Sequence, residues 1–254
     1  MPFTRAIVRL PSSTFADGLT TSKLGKPSLA EARAQHERYG EALERCGLAL
    51  TRLPADERFP DSTFVEDTAI LTPRGTIACR PGAESRRGEV AAIRGSLPHI
   101  VGTIEAPGTV DGGDICDAGG RFLIGLSSRT NDEGARQLAA ILSQLGYEST
   151  VIDLRGEPAL LHLKSGLAAL DDGRLVAVPA LAGRPELRGR EIVRVPDDEA
   201  YAANSICING RVSVASGFPQ LERSLRDLNY DVLTLDMSEF QKMDGGLSCL
   251  SLRV

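Results

Sequence analysis

The sequence predicts an α/β fold, a five-bladed β/α propeller made of repeated strand–strand–helix–strand (ββαβ) units. Two observations support this prediction. A β-hairpin pattern occurs four times, starting at Thr68, Asp114, Gly166 and Ser205, and a fifth hairpin can be formed from the two ends of the chain. The four copies start about 40 to 50 residues apart, a period that is typical of stacked or radial repeats.

Each internal hairpin joins two β-rich runs through a turn that contains glycine, as in TAILTPRGTIACR and SICINGRVSVAS. Between the hairpins the apolar residues recur with a spacing of about 3.6, which predicts helices on the outside of the molecule. The clearest examples begin at Ser28, Asn131 and Phe218. We expect Asn131 to cap its helix and Gly146 to mark where that helix stops.

A third short β-rich run follows each helix: LALTRLP, HIVGTIEAP, STVIDLRG, EIVRVP and DVLTLDM. Five such strands require five hairpins, so the missing hairpin is expected from TRAIVRL (residues 4–10) and LSCLSLRV (residues 247–254). Pairing the first strand with the last closes the ring and protects its edges. We therefore expect residues 1–254 to form a single catalytic domain.

Composition excludes some classes of function. The chain is 42% hydrophobic and 25% charged, which is ordinary for a globular protein, and its net charge of −5 argues against nucleic-acid binding through phosphate contacts. There is no signal-like apolar segment and no run of about 20 apolar residues, so we expect a cytoplasmic protein without membrane association. Five scattered cysteines without a CxxC pair predict neither a disulfide framework nor a structural zinc site.

Residues that could carry out chemistry precede the inner strand of each unit. If rotation relates the five units, these positions meet in one central cavity. The segments are FVEDTAI, TVDGGDI, LHLKSGL, ANSI and DGGLSC. Together they contain two acidic clusters, one histidine and one cysteine, which is a set suited to nucleophilic catalysis.

Cys249 is the candidate nucleophile. A lone cysteine is most often a small buried apolar residue, and this interpretation suits Cys46, Cys79 and Cys207. Cys249 differs because two glycines precede it and would let the backbone approach a ligand closely. His162 is the candidate proton-transfer group at the same cavity, since histidine titrates near neutral pH.

Acidic residues in these segments indicate a cationic ligand. Glu66 and Asp67 lead into an apolar strand, and Asp111 and Asp114 flank two glycines. Carboxylates beside glycine are most often turn residues. Buried carboxylates, however, need a cationic partner, and we expect no basic residue of these motifs to supply one.

Arginines follow the first two hairpins, where loops would overhang the cavity. Arg86 and Arg129 are therefore expected at the rim, where a guanidinium could bind a carboxylate through two parallel hydrogen bonds. Acidic groups inside and arginines at the rim would suit a zwitterionic, arginine-like amino acid.

Ordered motifs over nearly the whole chain carry a resemblance to a known family. They are DGLTTSKLGKP, DERFPDSTFVEDTAI, RPGAESRRGE, EAPGTVDGGDI, SSRTN, LHLKSGL, YAANSI and DGGLSCLS. With them the sequence resembles the dimethylarginine dimethylaminohydrolases of the guanidine-modifying (pentein) superfamily. The resemblance implies hydrolysis of asymmetric dimethyl-L-arginine and monomethyl-L-arginine to L-citrulline and the methylamine, without a metal or organic cofactor, in a monomer or homodimer.

The resemblance also implies roles for individual residues. Cys249 would attack the guanidinium carbon to give a covalent thiouronium-type intermediate, His162 would be the general acid and base, and Asp111 would orient His162. Asp67 would bind the guanidinium, Arg86 and Arg129 the substrate carboxylate, Leu19 would lie in a mobile lid and Asp61 near the α-amino group. The full set of implied substrate-binding residues is Leu19, Asp61, Glu66, Asp67, Arg86, Arg129 and Met243.

Two alternatives stay open. One is an arginine deiminase or amidinotransferase of the same superfamily, whose pattern has an aspartate two residues after the catalytic histidine. This chain has Lys164 there, and losing a second carboxylate would relax recognition of one guanidinium edge. The other alternative is a non-catalytic binder of arginine-like ligands, which would need neither Cys249 nor His162.

Overall fold

The computed structural model describes residues 2–254 and contains five three-stranded sheets. The strands are β1 (Arg5–Arg9), β2 (Ala49–Leu53), β3 (Ala69–Thr72), β4 (Gly75–Ala78), β5 (Ile100–Thr103), β6 (Ile115–Asp117), β7 (Arg121–Leu126), β8 (Glu148–Asp153), β9 (Leu167–Ala169), β10 (Leu175–Ala177), β11 (Ile192–Arg194), β12 (Ile206–Ile208), β13 (Arg211–Ala215), β14 (Asp231–Leu235) and β15 (Leu252–Arg253). The sheet orders are β3-β4-β5, β6-β7-β8, β9-β10-β11, β12-β13-β14 and β15-β1-β2.

Every sheet has the same construction. An inner strand pairs antiparallel with a middle strand, which in turn pairs parallel with the third strand, as in β6, β7 and β8. Neighbouring units meet through their inner strands, since β15 contacts β3 and β9 contacts both β6 and β12. The predicted five-bladed β/α propeller of ββαβ units is confirmed.

Helices connect the middle strand of each unit to its third strand. They are α1 (Leu29–Arg45), α2 (Arg87–Ile93), α3 (Asp132–Gln144), α4 (Pro179–Ala182) and α5 (Pro219–Asp227), and a further turn of helix, α6 (Ser238–Gln241), precedes β15. The predicted cap of α3 is confirmed, because the Asn131 side chain accepts a hydrogen bond from the Gly134 N–H. Gly146 follows α3 with φ of 76°, a left-handed conformation that glycine adopts without strain. No helix within residues 2–254 has the length and apolar character needed to cross a membrane.

The two chain ends close the ring as predicted. β1 pairs antiparallel with β15, with Ala6 opposite Arg253 and Ile7 opposite Leu252. The prediction of a strand over all of residues 247–254 is wrong, however, because the strand contains only Leu252–Arg253. The preceding residues form a 3₁₀ turn, Ser248–Leu250, in which the Ser248 N–H is bound by the Asn204 side chain and is not available to a sheet.

A 3₁₀ turn lies immediately before the inner strand, or within two residues of it, in every unit. The five turns are Val65–Thr68, Gly112–Asp114, Leu163–Ser165, Asp197–Ala203 and Ser248–Leu250. They occupy equivalent positions in the five repeats and carry or adjoin most of the residues predicted to act in the central cavity. The inner ends of the blades therefore supply the site, while buried apolar clusters between sheets and helices hold the blades rigid.

Candidate active site

The structure brings all the predicted site residues to one axial cavity with two compartments. The first has a volume of about 30 Å³ and is lined by Leu19, Asp61, Asp67, Arg86, Asp111, Arg129, His162, Met243 and Cys249, among others. The second has a volume of about 50 Å³ and adds Glu66 while sharing His162 and Cys249 with the first. The cysteine and the histidine thus face the same space from turns that are far apart in the sequence.

Cys249 lies in the 3₁₀ turn Ser248–Leu250, where its Sγ accepts a hydrogen bond of 3.4 Å from the Gly246 N–H. Burial raises the pKa of the Cys249 thiol to about 12, and the nearby charges of Glu66 and Asp67 act in the same direction. The thiol is therefore protonated at neutral pH in the free protein. A cation placed beside the sulfur would favour the thiolate.

His162 is held by a carboxylate from the preceding blade. Its Nε2 lies 3.1 Å from Oδ2 of Asp111, and Oδ1 of Asp111 accepts a hydrogen bond of 2.8 Å from the Gly82 N–H. Burial disfavours the imidazolium, but the carboxylates of Asp67, Asp114 and Asp111 outweigh it and raise the pKa of His162 to about 9. The side chain is thus a proton donor at neutral pH.

Asp114 connects two neighbouring blades. Its Oδ1 accepts the Leu163 N–H at 3.0 Å, and its Oδ2 accepts the hydroxyls of Ser127 and Thr130, both at 2.7 Å. Burial raises the pKa of Asp114 to about 6. Because Leu163 directly follows His162, this carboxylate fixes the turn that presents the histidine.

Asp67 is bound on both of its oxygens. Oδ2 lies 2.5 Å from Nη1 of Arg86, and Oδ1 accepts the Gly113 N–H at 2.8 Å. Burial opposes ionisation of Asp67, but Arg86, His162 and the Gly113 N–H outweigh it and lower its pKa to about 2. Asp67 is therefore an anion at the cavity wall at all ordinary pH values.

Arg86 lies deeper than predicted. We expected it at the rim, but its side chain is only 7% exposed, because two buried carboxylates hold it in place. Its Nε and Nη2 donate to Glu89, and Nη2 also donates to the Phe64 carbonyl at 2.9 Å. One Nη1 hydrogen remains for a ligand. Arg129, in contrast, is half-buried and follows the prediction of a rim position more closely.

Glu66 has a protein partner, contrary to the prediction that its motifs contain none. Lys164 Nζ lies 2.5 Å from Glu66 Oε1, the Ser248 hydroxyl donates to Oε2 at 2.7 Å, and Arg253 lies 3.4 Å away. Lys164 belongs to the LHLKSGL motif, and its long side chain reaches Glu66 across the axis. Glu66 is therefore paired with Lys164 as Asp67 is with Arg86, whereas Asp61 has no ion-pair partner among residues 2–254.

The two glycines before Cys249 do not provide clearance for a ligand as predicted. A Cβ atom at Gly245 would lie 2.2 Å from the ring of Phe64, and one at Gly246 would lie 2.4 Å from Oδ1 of Asn204. These neighbours fill the space that the missing side chains leave. The glycines therefore allow the loop to pack tightly, which fixes the position of Cys249.

Sequence analysis missed three residues that hold this loop and Arg86. The Tyr201 hydroxyl donates to the Gly245 carbonyl at 2.8 Å, and the Asn204 amide donates to the Ser248 hydroxyl at 3.0 Å. Glu89 binds Arg86. The position of YAANSI before an inner strand pointed to Tyr201 and Asn204, and the three-residue spacing of Arg86 and Glu89 in a helical segment pointed to Glu89.

Residues 18–22, which we call the lid segment, pass beside the cavity, and Leu19 lines it. The Leu19 N–H donates to both carboxylate oxygens of Asp61, at 3.0 and 3.2 Å. Burial raises the pKa of Asp61, although Arg86 opposes this shift. A Cβ atom at Gly18 would lie 2.4 Å from Asp61 and 3.2 Å from Met243, so only glycine permits this approach.

One acidic cluster has metal-ligand spacing. Within residues 2–254, ligand atoms of Asp67, Asp111 and His162 lie within 4.8 Å of one another. Both carboxylates already have partners, Arg86 for Asp67 and His162 for Asp111. A metal ion would have to displace these partners, so the arrangement fits proton transfer and cation binding better than metal ligation.

Comparison with known proteins agrees with this geometry. No protein-family model matches the chain. It is 47% identical to N(G),N(G)-dimethylarginine dimethylaminohydrolase of Pseudomonas aeruginosa, over 99% of each chain, and 34% identical to that of Streptomyces coelicolor, over 100% of this chain and 98% of the relative. A solved structure of the Pseudomonas aeruginosa protein, its C249S mutant complexed with citrulline, has 46% identity and a TM-score of 0.97 over 100% of both chains. The chain therefore belongs to the dimethylarginine dimethylaminohydrolase family.

Proposed function

We propose that this protein hydrolyses asymmetric Nω,Nω-dimethyl-L-arginine and Nω-monomethyl-L-arginine to L-citrulline and dimethylamine or methylamine, with residues 1–254 acting as one catalytic domain. The observation that carries the proposal is that Cys249, His162 and Asp67 line one cavity while Asp111 binds His162. Membership of the family supports the same reaction, as does the citrulline complex of the Pseudomonas aeruginosa relative.

Binding of the substrate cation prepares the nucleophile. The carboxylate of Asp67 attracts the guanidinium to a position beside Cys249. The bound positive charge compensates Asp67, whose negative charge contributes to the high pKa of the thiol. The Cys249 pKa then falls, the thiol loses its proton to solvent while His162 stays protonated, and the thiolate is held next to the guanidinium carbon.

The first chemical step forms a carbon–sulfur bond and breaks a carbon–nitrogen bond. The Cys249 thiolate attacks the guanidinium carbon to give a tetrahedral adduct. The imidazolium of His162 donates its proton to the methylated nitrogen, which leaves as neutral dimethylamine or methylamine. The adduct collapses to a cationic thiouronium-type intermediate and His162 becomes neutral.

The second step releases citrulline. A water molecule attacks the same carbon, and neutral His162 accepts a proton from it. The carbon–sulfur bond breaks, the sulfur departs as the Cys249 thiolate, and the remaining hydroxyl proton of the adduct passes to solvent as the ureido group of citrulline forms. Asp111 stabilises the imidazolium that this step regenerates.

The amino-acid end of the substrate is assigned to the outer part of the cavity. Arg129 and the remaining Nη1 hydrogen of Arg86 suit the α-carboxylate, because both line this compartment. Asp61 suits the α-ammonium group, and it would share that group with the Leu19 N–H. Met243 is buried against the lid segment and contacts the aliphatic part of the substrate in this arrangement.

Lys164 separates the preferred reaction from the deiminase or amidinotransferase alternative. An arginine deiminase would use a second carboxylate at this position, whereas here the ammonium group of Lys164 binds Glu66. The guanidinium edge that faces Lys164 therefore meets no free anion. This arrangement favours a substrate whose nitrogen carries methyl groups and forms fewer hydrogen bonds.

The test is to incubate the protein separately with dimethylarginine, monomethylarginine and arginine, and to measure citrulline and the released amine. We expect turnover of both methylated substrates and loss of citrulline formation in Cys249→Ser. Cys46→Ser is the matched control, since Cys46 is buried at the C-terminal end of α1, lines neither compartment of the cavity and should leave turnover unchanged. Turnover of arginine without turnover of either methylated substrate would contradict the proposal.

A further inference from the structure

Asp244 binds the lid segment from the loop that carries Cys249. Its Oδ2 accepts the Thr21 N–H at 2.5 Å and the Thr21 hydroxyl at 3.0 Å. The Thr20 hydroxyl lies 3.2 Å from the same oxygen and 2.9 Å from the Lys242 carbonyl. One carboxylate oxygen therefore accepts hydrogen bonds from two consecutive residues of the lid segment.

Few other contacts hold this part of the chain. From residue 19 to residue 27 the backbone forms neither helix nor strand, and most of these residues are exposed. The Leu19 N–H binds Asp61 at one end, and the Ser28 N–H binds Glu239 at the other. Between these two points the bonds to Asp244 and to the Lys242 carbonyl are the tertiary hydrogen bonds that restrain the segment.

Asp244 has a backbone conformation that matches this position. Its φ is 56°, in the left-handed region that aspartate, asparagine and glycine tolerate better than other residues. This turn carries the chain directly into Gly245 and Gly246. The Gly245 carbonyl is bound by Tyr201, and the Gly246 N–H donates to Cys249 Sγ.

We propose that Asp244 is a positioning residue that latches the lid segment over Cys249 and couples lid closure to the loop that places the Gly246 N–H at the sulfur. Lid opening would break the bonds of Thr20 and Thr21 to Asp244 and leave the Gly245–Gly246 backbone with one restraint fewer. The position of Cys249 would then vary more when the lid segment is open than when it is closed.

Limited trypsin digestion of the free protein tests the latch without any reference to activity. Lys23 and Leu24 are exposed just beyond the lid segment, and the rate of cleavage between them should rise when the neighbouring residues are released to extend into the protease. We expect Asp244→Gly to accelerate this cleavage at least about fivefold, because the latch should restrain the local opening that proteolysis samples. Cleavage after the exposed Arg188, in a distant loop, serves as the internal reference.

One further variant, Asp244→Asn, distinguishes a latch from a backbone role. Asp244→Gly keeps the left-handed turn but removes the acceptor, whereas Asp244→Asn keeps both the turn and a neutral acceptor oxygen. A latch predicts that the asparagine variant is cleaved at a rate between those of the parent and the glycine variant. Unchanged cleavage in Asp244→Gly overturns the proposal, and so do equal rates in the glycine and asparagine variants.

A substitution in the lid segment tests the same contact while Asp244 itself is unchanged. Thr21→Val removes a hydroxyl whose hydrogen bond goes to Asp244 alone, at an exposed position, so folding is not at risk. We expect faster cleavage in this variant, and no further increase when the same change is made in Asp244→Gly. Fully additive increases would contradict a shared contact.

The kinetic readout rests on the proposed hydrolase function, unlike the digestion. With monomethylarginine we expect Asp244→Gly to raise KM and to lower kcat/KM about tenfold or more, with partial recovery in Asp244→Asn. If the parent protein has no hydrolase activity, the digestion still tests whether Asp244 restrains the lid segment. If digestion changes as expected while kcat/KM does not, the lid is latched but the coupling to Cys249 is refuted.

Discussion

Asp111 Oδ2 lies 3.1 Å from His162 Nε2, and the Asp111 side chain is completely buried. Asp111→Asn keeps the shape but removes the negative charge that favours the imidazolium, so the pKa of His162 should fall. We expect kcat/KM for dimethylarginine to drop by about 10²-fold, a size typical of a lost general-acid contribution. Citrulline formation measured across pH checks this, with Asp117→Asn on an exposed strand end as control. An unchanged pH profile would argue against the pairing.

The Cys249 thiol should behave as a weak acid in the free protein. Its pKa is raised to about 12, so the thiolate fraction should increase tenfold for each pH unit well below that value. The rate of Cys249 alkylation by neutral iodoacetamide should rise accordingly from pH 6 to pH 9. Mass spectrometry of the modified peptide gives this rate, and a plateau below pH 8 would refute the raised pKa.

Glu89 should make folding stability depend on pH. Burial raises its pKa from 4.5 to about 7, although Arg86 opposes the shift, so the folded state binds more protons than the unfolded state between these values. The contribution of Glu89 to the free energy of unfolding should therefore be largest below pH 4.5 and decrease by about 3 kcal/mol as pH rises through 7. Urea unfolding of the parent and of Glu89→Gln across this window tests the idea. The decline should be smaller in the variant by this amount, with a remainder from Asp114, whose pKa is also raised, and Glu84→Gln, at an exposed position, should retain the parent's decline.

Gly112 should not tolerate a side chain. A Cβ atom there would lie 2.0 Å from the Glu66 carbonyl oxygen, and both partners belong to the 3₁₀ turns that face the axis. We expect Gly112→Ala to lower the free energy of unfolding by about 3 kcal/mol or more, because backbone would have to move. Gly95→Ala is the matched control, since nothing lies within 4 Å of its added Cβ. Similar melting temperatures for the two variants would show that the turns adjust freely.

Leu252 should be important for ring closure. It is 4% exposed, pairs with Ile7 and packs in a cluster with Val65. Leu252→Ala should cost about 2–4 kcal/mol of stability, the usual range for a buried leucine. Chemical unfolding measures the loss against Val151→Ala, whose side chain is 42% exposed and should change stability little. A loss below 1 kcal/mol would show that the last strand contributes little to the ring.

The fold could be predicted because it repeats. Four hairpins and five third strands left one hairpin to be assigned, and the pairing of Ala6 with Arg253 is the contact that this count required. The site followed from the same symmetry, since equivalent turns carry Asp67 and Cys249 and Asp111 directly precedes another of them. The turns themselves could not be predicted, because segments of three to seven residues show no periodicity that distinguishes a 3₁₀ turn from the start of a strand.

The pairing of charged side chains could not be predicted from the sequence. Lys164 and Glu66 are 98 positions apart and belong to different blades, and only the length of the lysine side chain brings their charges together. Arg86 could have extended to the rim or turned inward, and buried carboxylates on two sides decide the outcome. Such choices depend on three-dimensional distances that neither composition nor spacing encodes.

The pairing of β1 with β15 also has a consequence for the order of folding. Two strands some 245 positions apart must meet before the ring exists, and contacts of such long sequence separation form slowly. A chain with four blades in place could already carry the Asp111–His162 pair, but Cys249 would still be detached from the axis. Recovery of citrulline formation during refolding should therefore lag behind recovery of helical and sheet structure, and it would time the final closure of the ring.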